Sequence, residues 1–302
     1  MTEALVNELR QKMPGLELLA DEPMKNYCSF RIGGPAVLAL PENEERLCEL
    51  LAFMRRAGEK PFVLGKGTNV LFPDCGTRRL VIRPAGELTA IRALDDTRLE
   101  AGCGASLAAL ACYARDRGLT GLEFAHGIPG SVGGAVFMNA GAYGGEMVQV
   151  LESVRYLDGE SGEIREKPVS ELELGYRCSR FCGREDVILS AVVCLEHGNT
   201  ETIAARMREL AEKRRASQPL DKPSAGSTFK RPAVGYAAAL IDECGLKGFS
   251  VGGAQVSEKH AGFVVNTGAA SSADVLELMA RVQKIVLDKT GVELQPEVRI
   301  IE

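Results

Sequence analysis

Gly127-Ile-Pro-Gly-Ser-Val-Gly-Gly-Ala-Val-Phe-Met-Asn-Ala-Gly-Ala-Tyr-Gly-Gly145 is the stretch on which the reading of this chain turns. Ten of its nineteen residues are Gly or Ala, and the nearest ionisable neighbour upstream is His126. A solvated loop would carry more charge, and a core strand more β-branched bulk. The composition suits a segment that lets a large ligand lie against bare backbone. A set of tight structural turns is the plainer alternative, and this stretch alone does not separate the two.

Two further glycine clusters lie upstream. Gly65-Lys-Gly-Thr-Asn69 stands between the apolar strands expected at 61–64 and 70–72. Gly102-Cys-Gly-Ala-Ser-Leu107 follows an alternating strand at 97–101 and opens an amphipathic helix at 106–117. A dinucleotide fingerprint needs Gly-x-Gly-x-x-Gly between strand and helix, with an acidic residue about 20 positions further on. The first cluster runs into a strand and the second has Leu107 at the third glycine position, so neither qualifies. No Gly-x-x-x-x-Gly-Lys run suggests a P-loop. Glycine turns can still hold a diphosphate through inward N–H groups, where glycine adopts φ > 0 without steric cost. That is the expectation for 65–69 and 127–134.

Composition narrows the function classes. The 302 residues carry a net charge of −5, which argues against a nucleic-acid partner. The most basic run, Lys213-Arg214-Arg215, ends a helix expected at 200–216, where cations offset the helix dipole. Nine scattered cysteines without a CxxC pair, and an N-terminus without an apolar signal region, fit a reducing cytoplasm. No apolar run suggests membrane insertion, and three dispersed histidines suggest no metal site. Further helices are expected at 41–58 and 273–290. Strands are expected at 149–158, 163–166, 187–196, 254–256, 262–266 and 297–301. The mixture is α+β, with a boundary near residue 200.

Taken in order, the segments resemble the UDP-N-acetylenolpyruvoylglucosamine reductases. The resemblance rests on Ser29-Phe-Arg-Ile-Gly-Gly-Pro35, Leu64-Gly-Lys-Gly-Thr-Asn-Val-Leu71, residues 127–143, Gly175-Tyr-Arg177, Ser224-Ala-Gly-Ser-Thr-Phe-Lys230, Gly245-Leu-Lys-Gly248, Val264-Val-Asn266 and Pro296-Glu-Val-Arg299. It implies a p-cresol-methylhydroxylase-type FAD-binding domain of two α+β subdomains, at 1–85 and 86–199. A smaller α+β substrate-binding domain would follow at 200–302, its last strand able to return to the FAD domain. It implies noncovalent FAD reduced by NADPH, and reduction of an enolpyruvyl ether on UDP-N-acetylglucosamine in peptidoglycan synthesis. Only fifty residues separate Arg177 from Ser227, so the chain resembles the shorter subtype, without the added tyrosine-bearing loop.

The resemblance also assigns residues. Arg177 would polarise the substrate carboxylate, Ser227 deliver the proton, and Glu297 help stabilise the enol-like intermediate. Gly65, Lys66, Gly67, Thr68 and Asn69, with Gly127, Ile128, Pro129, Gly130, Ser131, Gly133 and Gly134, would hold FAD. Tyr176, Lys230, Arg231, His260 and Asn266 are substrate-binding candidates. A structural role is the stronger reading of His260, and Cys103 and Cys178 read as small apolar fillers. Two alternatives stay open on the residues alone: an oxidase of the same FAD fold, and a catalytically silent nucleotide-binding module.

Overall fold

The run Val187-Ile-Leu-Ser-Ala-Val-Val-Cys194 is apolar enough to be covered on both faces, and it forms the centre of a five-stranded antiparallel sheet. Leu151–Leu157 and then Ile164–Pro168 lie on one side of it, Arg98–Gly102 and then Ile91–Ala93 on the other. The structure, a computed structural model, describes all 302 residues. Its chain divides into two units. One comprises Met1–Leu19, Leu38–Lys66 and Arg79–Arg214, and the other Ala20–Val37, Gly67–Arg78 and Arg215–Glu302.

The first unit holds the five-stranded sheet and a parallel pair, Phe62–Val63 with Leu80–Ile82. Helix α1 (Glu3–Lys12) is capped by Thr2, whose Oγ1 accepts from Leu5 N. Helix α2 (Glu44–Arg56) buries Leu47, Leu50, Leu51, Phe53 and Met54, the face expected from its spacing. It begins at Glu44, not near 41, because Asn43 accepts from Arg46 N and caps the helix there. Helix α3 (Leu107–Asp116) turns Leu107, Leu110, Ala111 and Ala114 into the core. Helix α4 (Val132–Phe137) was not expected, since two glycines open it and glycine costs about 1 kcal/mol against alanine within a helix. Packing supplies what propensity lacks: Val132, Ala135 and Val136 are buried, and α4 lies on the central strand Val187–Cys194. Helix α5 (Thr200–Ser217) buries Ile203, Met207 and Leu210.

The second unit is built on a four-stranded antiparallel sheet, in the order Ser224–Ser227, Phe263–Asn266, Ala254–Val256 and Ser250–Val251. Helices α6 (Ala237–Glu243) and α7 (Ser272–Thr290) pack together, and α7 lies against the last two strands. A capping box starts α7: Ser271 Oγ accepts from Asp274 N, and the Asp274 carboxylate accepts from Ser271 N. The closing strand is shorter than its apolar pattern, Arg299–Ile300, and runs parallel to Val70–Leu71. Glu297 precedes the strand because its N–H is taken by Thr228 O (2.8 Å).

Candidate functional site

In the first unit, strand Phe62–Val63 delivers the chain into Gly65, where space is the constraint. A Cβ added there would lie 2.1 Å from Ser131 Oγ. Ser131 is itself buried and caps α4, accepting from Gly134 N at 3.2 Å. The segment around it is bonded to the chain after Gly102. Leu107 N donates to Gly130 O (3.0 Å), Val132 N to Ala105 O (2.9 Å) and Gly133 N to Cys103 O (2.9 Å).

These contacts correct one expectation. None of Gly127, Gly130, Gly133 and Gly134 has positive φ, so the second loop needs no left-handed turn. Gly133 serves close approach: a Cβ there would stand 2.9 Å from Cys103 Cβ and 3.0 Å from Cys103 O. Burial drives the Cys103 thiol up to about 12, so it packs as an apolar group. The left-handed glycine belongs to the first loop. Gly67 has φ +66°, and a Cβ there would lie 2.1 Å from Tyr27 O, within the second unit.

A cavity of about 260 Å³ opens in the first unit, walled by Leu40, Leu64, Gly65, Pro84, Thr89 and Gly104. The fold leaves the N–H groups of Gly65, Lys66, Gly130 and Ser131 without an acceptor. Two cations, Lys66 and Arg83, join the cavity lining, and a mixed wall with bare backbone donors next to it has the chemistry that would suit a dinucleotide. One cation nearby escaped the sequence reading. Arg214, expected only to offset a helix dipole, is half-buried, and its Cδ would lie 3.3 Å from a Cβ on Gly127. Burial lowers its guanidinium from the ordinary arginine value, as it does for a cation short of counter-charge.

Arg177 is presented on a tight turn. Gly175 and Cys178 exchange backbone hydrogen bonds (3.0 and 3.3 Å), leaving Tyr176 and Arg177 at the tip. Arg177 holds φ +54°, a left-handed conformation uncommon outside glycine, and its Nη2 donates to Gly141 O at 3.2 Å. Its guanidinium carbon is 5.2 Å from the ring centre of Tyr176, which is exposed. Asn139, which the sequence reading missed, is buried beneath this turn. The signal available was an amide stranded in an apolar run, and buried amides are nearly always bonded.

In the second unit the chain after Ser224–Ser227 runs beside residues 295–297. Phe229 bridges Pro296, Lys230 N donates to Gln295 O (2.8 Å) and Glu297 N to Thr228 O. Ser227 is exposed and neighbours the residue that pairs with Glu297. Asn69 joins the same group: its Nδ2 donates to Glu297 O (3.1 Å), and its O accepts from Arg299 N (3.1 Å). Ser29, at the head of the Ser-Phe-Arg-Ile-Gly-Gly-Pro motif, donates to Ser224 O (2.6 Å) and, through its N–H, to Gly67 O (3.0 Å). With Val264–Asn266 paired to the strand Ser224–Ser227, the second unit brings together residues from five of the eight motifs.

The remaining candidates separate by how their polar atoms are used. Arg231 is exposed, with its guanidinium over Tyr236 at 4.2 Å; Lys230 is half-buried. His260 Nδ1 accepts from Gly262 N (3.2 Å), and its ring meets Phe263 edge-on. Asn266 is buried, accepting from Gly268 N and Ala270 N and donating to Phe30 O. Those bonds brace the unit.

Fold and loops together define an FAD-dependent oxidoreductase: residues 35–167 match the FAD binding domain family. Residues 218–301 match the C-terminal domain of UDP-N-acetylenolpyruvoylglucosamine reductase. The reductase of Caldanaerobacter subterraneus subsp. tengcongensis is 47% identical over 302 residues, spanning 100% of this chain and 99% of that protein. That of Syntrophomonas wolfei is 44% identical over 298 residues, or 98% of this chain and 99% of its own length. The crystal structure of the Thermus caldophilus enzyme superposes with a TM-score of 0.81 at 38% identity, covering 95% of this chain and 100% of that one. The chain belongs to the UDP-N-acetylenolpyruvoylglucosamine reductase family. Its FAD-binding domain is of the p-cresol-methylhydroxylase type, followed by a smaller α+β domain.

Proposed function

We propose that this chain reduces UDP-N-acetyl-3-O-(1-carboxyvinyl)-glucosamine to UDP-N-acetylmuramate with NADPH as electron donor, a step in peptidoglycan precursor synthesis in the cytoplasm. Kinship over the full length of both chains is the observation that supports this most. FAD-binding subdomains at 1–85 and 86–199 and a substrate-binding domain at 200–302 belong to the same proposal.

Bound FAD would supply the two-electron, hydride-level chemistry between NADPH and the enolpyruvyl ether. Gly65–Lys66 and Gly130–Ser131 would hold it through the backbone N–H groups that the fold leaves open. Gly127, Ile128, Pro129, Gly133 and Gly134 would line it on the same unit, and the family motif makes Gly67, Thr68 and Asn69 FAD contacts as well. Arg214, half-buried beside Gly127, is the cation placed to meet a diphosphate.

Hydride addition puts negative charge on the carbon next to the substrate carboxylate. Arg177 stabilises that charge, since a guanidinium stays ionised and matches a carboxylate in a planar fork. Ser227 delivers the proton to the carbanion. Glu297, anchored through its backbone beside the Ser227 strand, helps stabilise the enol-like intermediate. Tyr176, Lys230 and Arg231 offer contacts to the sugar nucleotide, with His260 and Asn266 bracing that region.

Purified protein should show a flavin spectrum that NADPH bleaches under anaerobic conditions and the enolpyruvyl substrate restores. Bleaching without substrate-dependent recovery would favour an oxidase of the same fold. Protein without flavin would favour a silent nucleotide-binding module.

A further inference from the structure

The turn that carries Arg177 is tied into a closed ring of contacts around one buried side chain. Asn139 follows α4, with φ +43° and 1% of its surface exposed. Its Nδ2 donates to Gly175 O (3.1 Å) and to Glu146 Oε2 (3.0 Å), while its Oδ1 accepts from Val148 N (2.9 Å). Gly175 is the base of the turn that carries Arg177. From the tip of that turn Arg177 Nη2 donates back to Gly141 O (3.2 Å). Gly141 pairs with Glu146 across a short hairpin, and Glu146 is the residue Asn139 already holds. The ring thus runs from Asn139 through Gly175, Arg177, Gly141 and Glu146 back to Asn139.

Few side chains satisfy this place. The position needs a left-handed backbone, which among non-glycine residues Asn tolerates best. It also needs two donors and one acceptor within a short side chain. Aspartate offers no donor and would set its charge against the Glu146 carboxylate. Glycine keeps the backbone and loses all three bonds. The ring's other corner is tight too: a Cβ on Gly141 would lie 2.6 Å from Glu146 Cγ. Ser179 closes the rear of the turn, donating from Oγ to Phe137 O at 2.7 Å.

We propose that Asn139 is a positioning residue for Arg177, setting the aim of the guanidinium toward the substrate carboxylate through the carbonyl of Gly175 and the carboxylate of Glu146. The proposal rests on the reading of Arg177 as the carboxylate-binding residue. Asn139 touches neither substrate nor cofactor in this role, so its removal should slow one half-reaction and spare the other.

The test is a double-mutant cycle in anaerobic stopped-flow, using holoenzyme first reduced with NADPH and then mixed with enolpyruvyl substrate. Asn139→Gly should slow flavin re-oxidation by about tenfold to a hundredfold while leaving reduction by NADPH within about twofold. In an Arg177→Ala background, Asn139→Gly should add no further loss, because both changes remove one shared function. Losses that multiply, or wild-type re-oxidation in Asn139→Gly alone, would overturn the proposal. Wild-type re-oxidation in Arg177→Ala alone would instead overturn the reading of Arg177 on which it rests. Should Asn139→Gly fail to fold, Glu146→Ala opens the same ring from its other side. Its expected and overturning rates in the same cycle are those given for Asn139→Gly.

Discussion

Arg177 and Ser227 are held by opposite means. Arg177 sits at the tip of a four-residue turn with φ +54°, closed by Gly175–Cys178 backbone bonds and anchored at its base by a buried side chain, Asn139. Ser227 ends a strand, and its surroundings are set by backbone ladders to residues 262–265 and 295–297. A backbone ladder does not depend on which side chains its residues carry. A turn anchored at its base by an amide depends on that amide. Single substitutions around Arg177 should therefore cost rate, whereas those around Ser227 should cost stability first.

The largest expected effect breaks the first arm. Arg177→Ala should slow flavin re-oxidation by enolpyruvyl substrate about 10²–10³-fold, the cost of removing one preorganised charge donor. Reduction by NADPH should persist, which anaerobic stopped-flow separates. Next comes the close contact between Gly65 and Ser131. Gly65→Ala forces a methyl into Ser131 Oγ, overpacking that costs about 1–3 kcal/mol and should appear as a lower FAD content per chain after gel filtration. Unchanged FAD content would show that the contact between Gly65 and Ser131 gives way freely.

Smaller effects sharpen the second arm. Thr228 is buried and its Oγ1 accepts from Val264 N at 2.9 Å. Thr228→Val leaves that N–H without a partner and should cost about 1–3 kcal/mol in chemical denaturation, with re-oxidation preserved in the folded protein. A rate loss larger than the stability loss would erase the contrast between the arms. The smallest effect is a pH dependence. Burial is the main cause holding His260 below its ordinary value of 6.5. The folded state therefore stays neutral where the unfolded chain takes up a proton, and stability falls as pH drops below 6.5. His260→Gln, which keeps an acceptor for Gly262 N, should flatten that decline in a series of thermal melts.

Much of the fold is legible because its signals are periodic. The apolar faces of α2, α3 and α5 and the run at Val187–Cys194 each state their burial in sequence. Helix α4 is not legible, because Gly133–Gly134 reads as a loop and only packing against a distant strand makes it helical. The glycines of 127–134 read as ligand contacts made through left-handed turns, yet their φ values are ordinary. Composition cannot distinguish a glycine needed for angle from one needed for space. Arg214 is hidden for the same kind of reason: three cations in a row at a helix end do not reveal which one turns inward. Asn139 lies in plain view, but its value comes from Gly175, 36 residues away.

The most direct test is Ser227→Ala studied as two half-reactions. Reduction of bound FAD by NADPH should keep its wild-type rate, while re-oxidation by the enolpyruvyl substrate should fall about 10²–10⁴-fold, the range for loss of a positioned proton donor. If both half-reactions run at wild-type rates, Ser227 is not the proton donor and the assignment of chemistry to this strand is wrong.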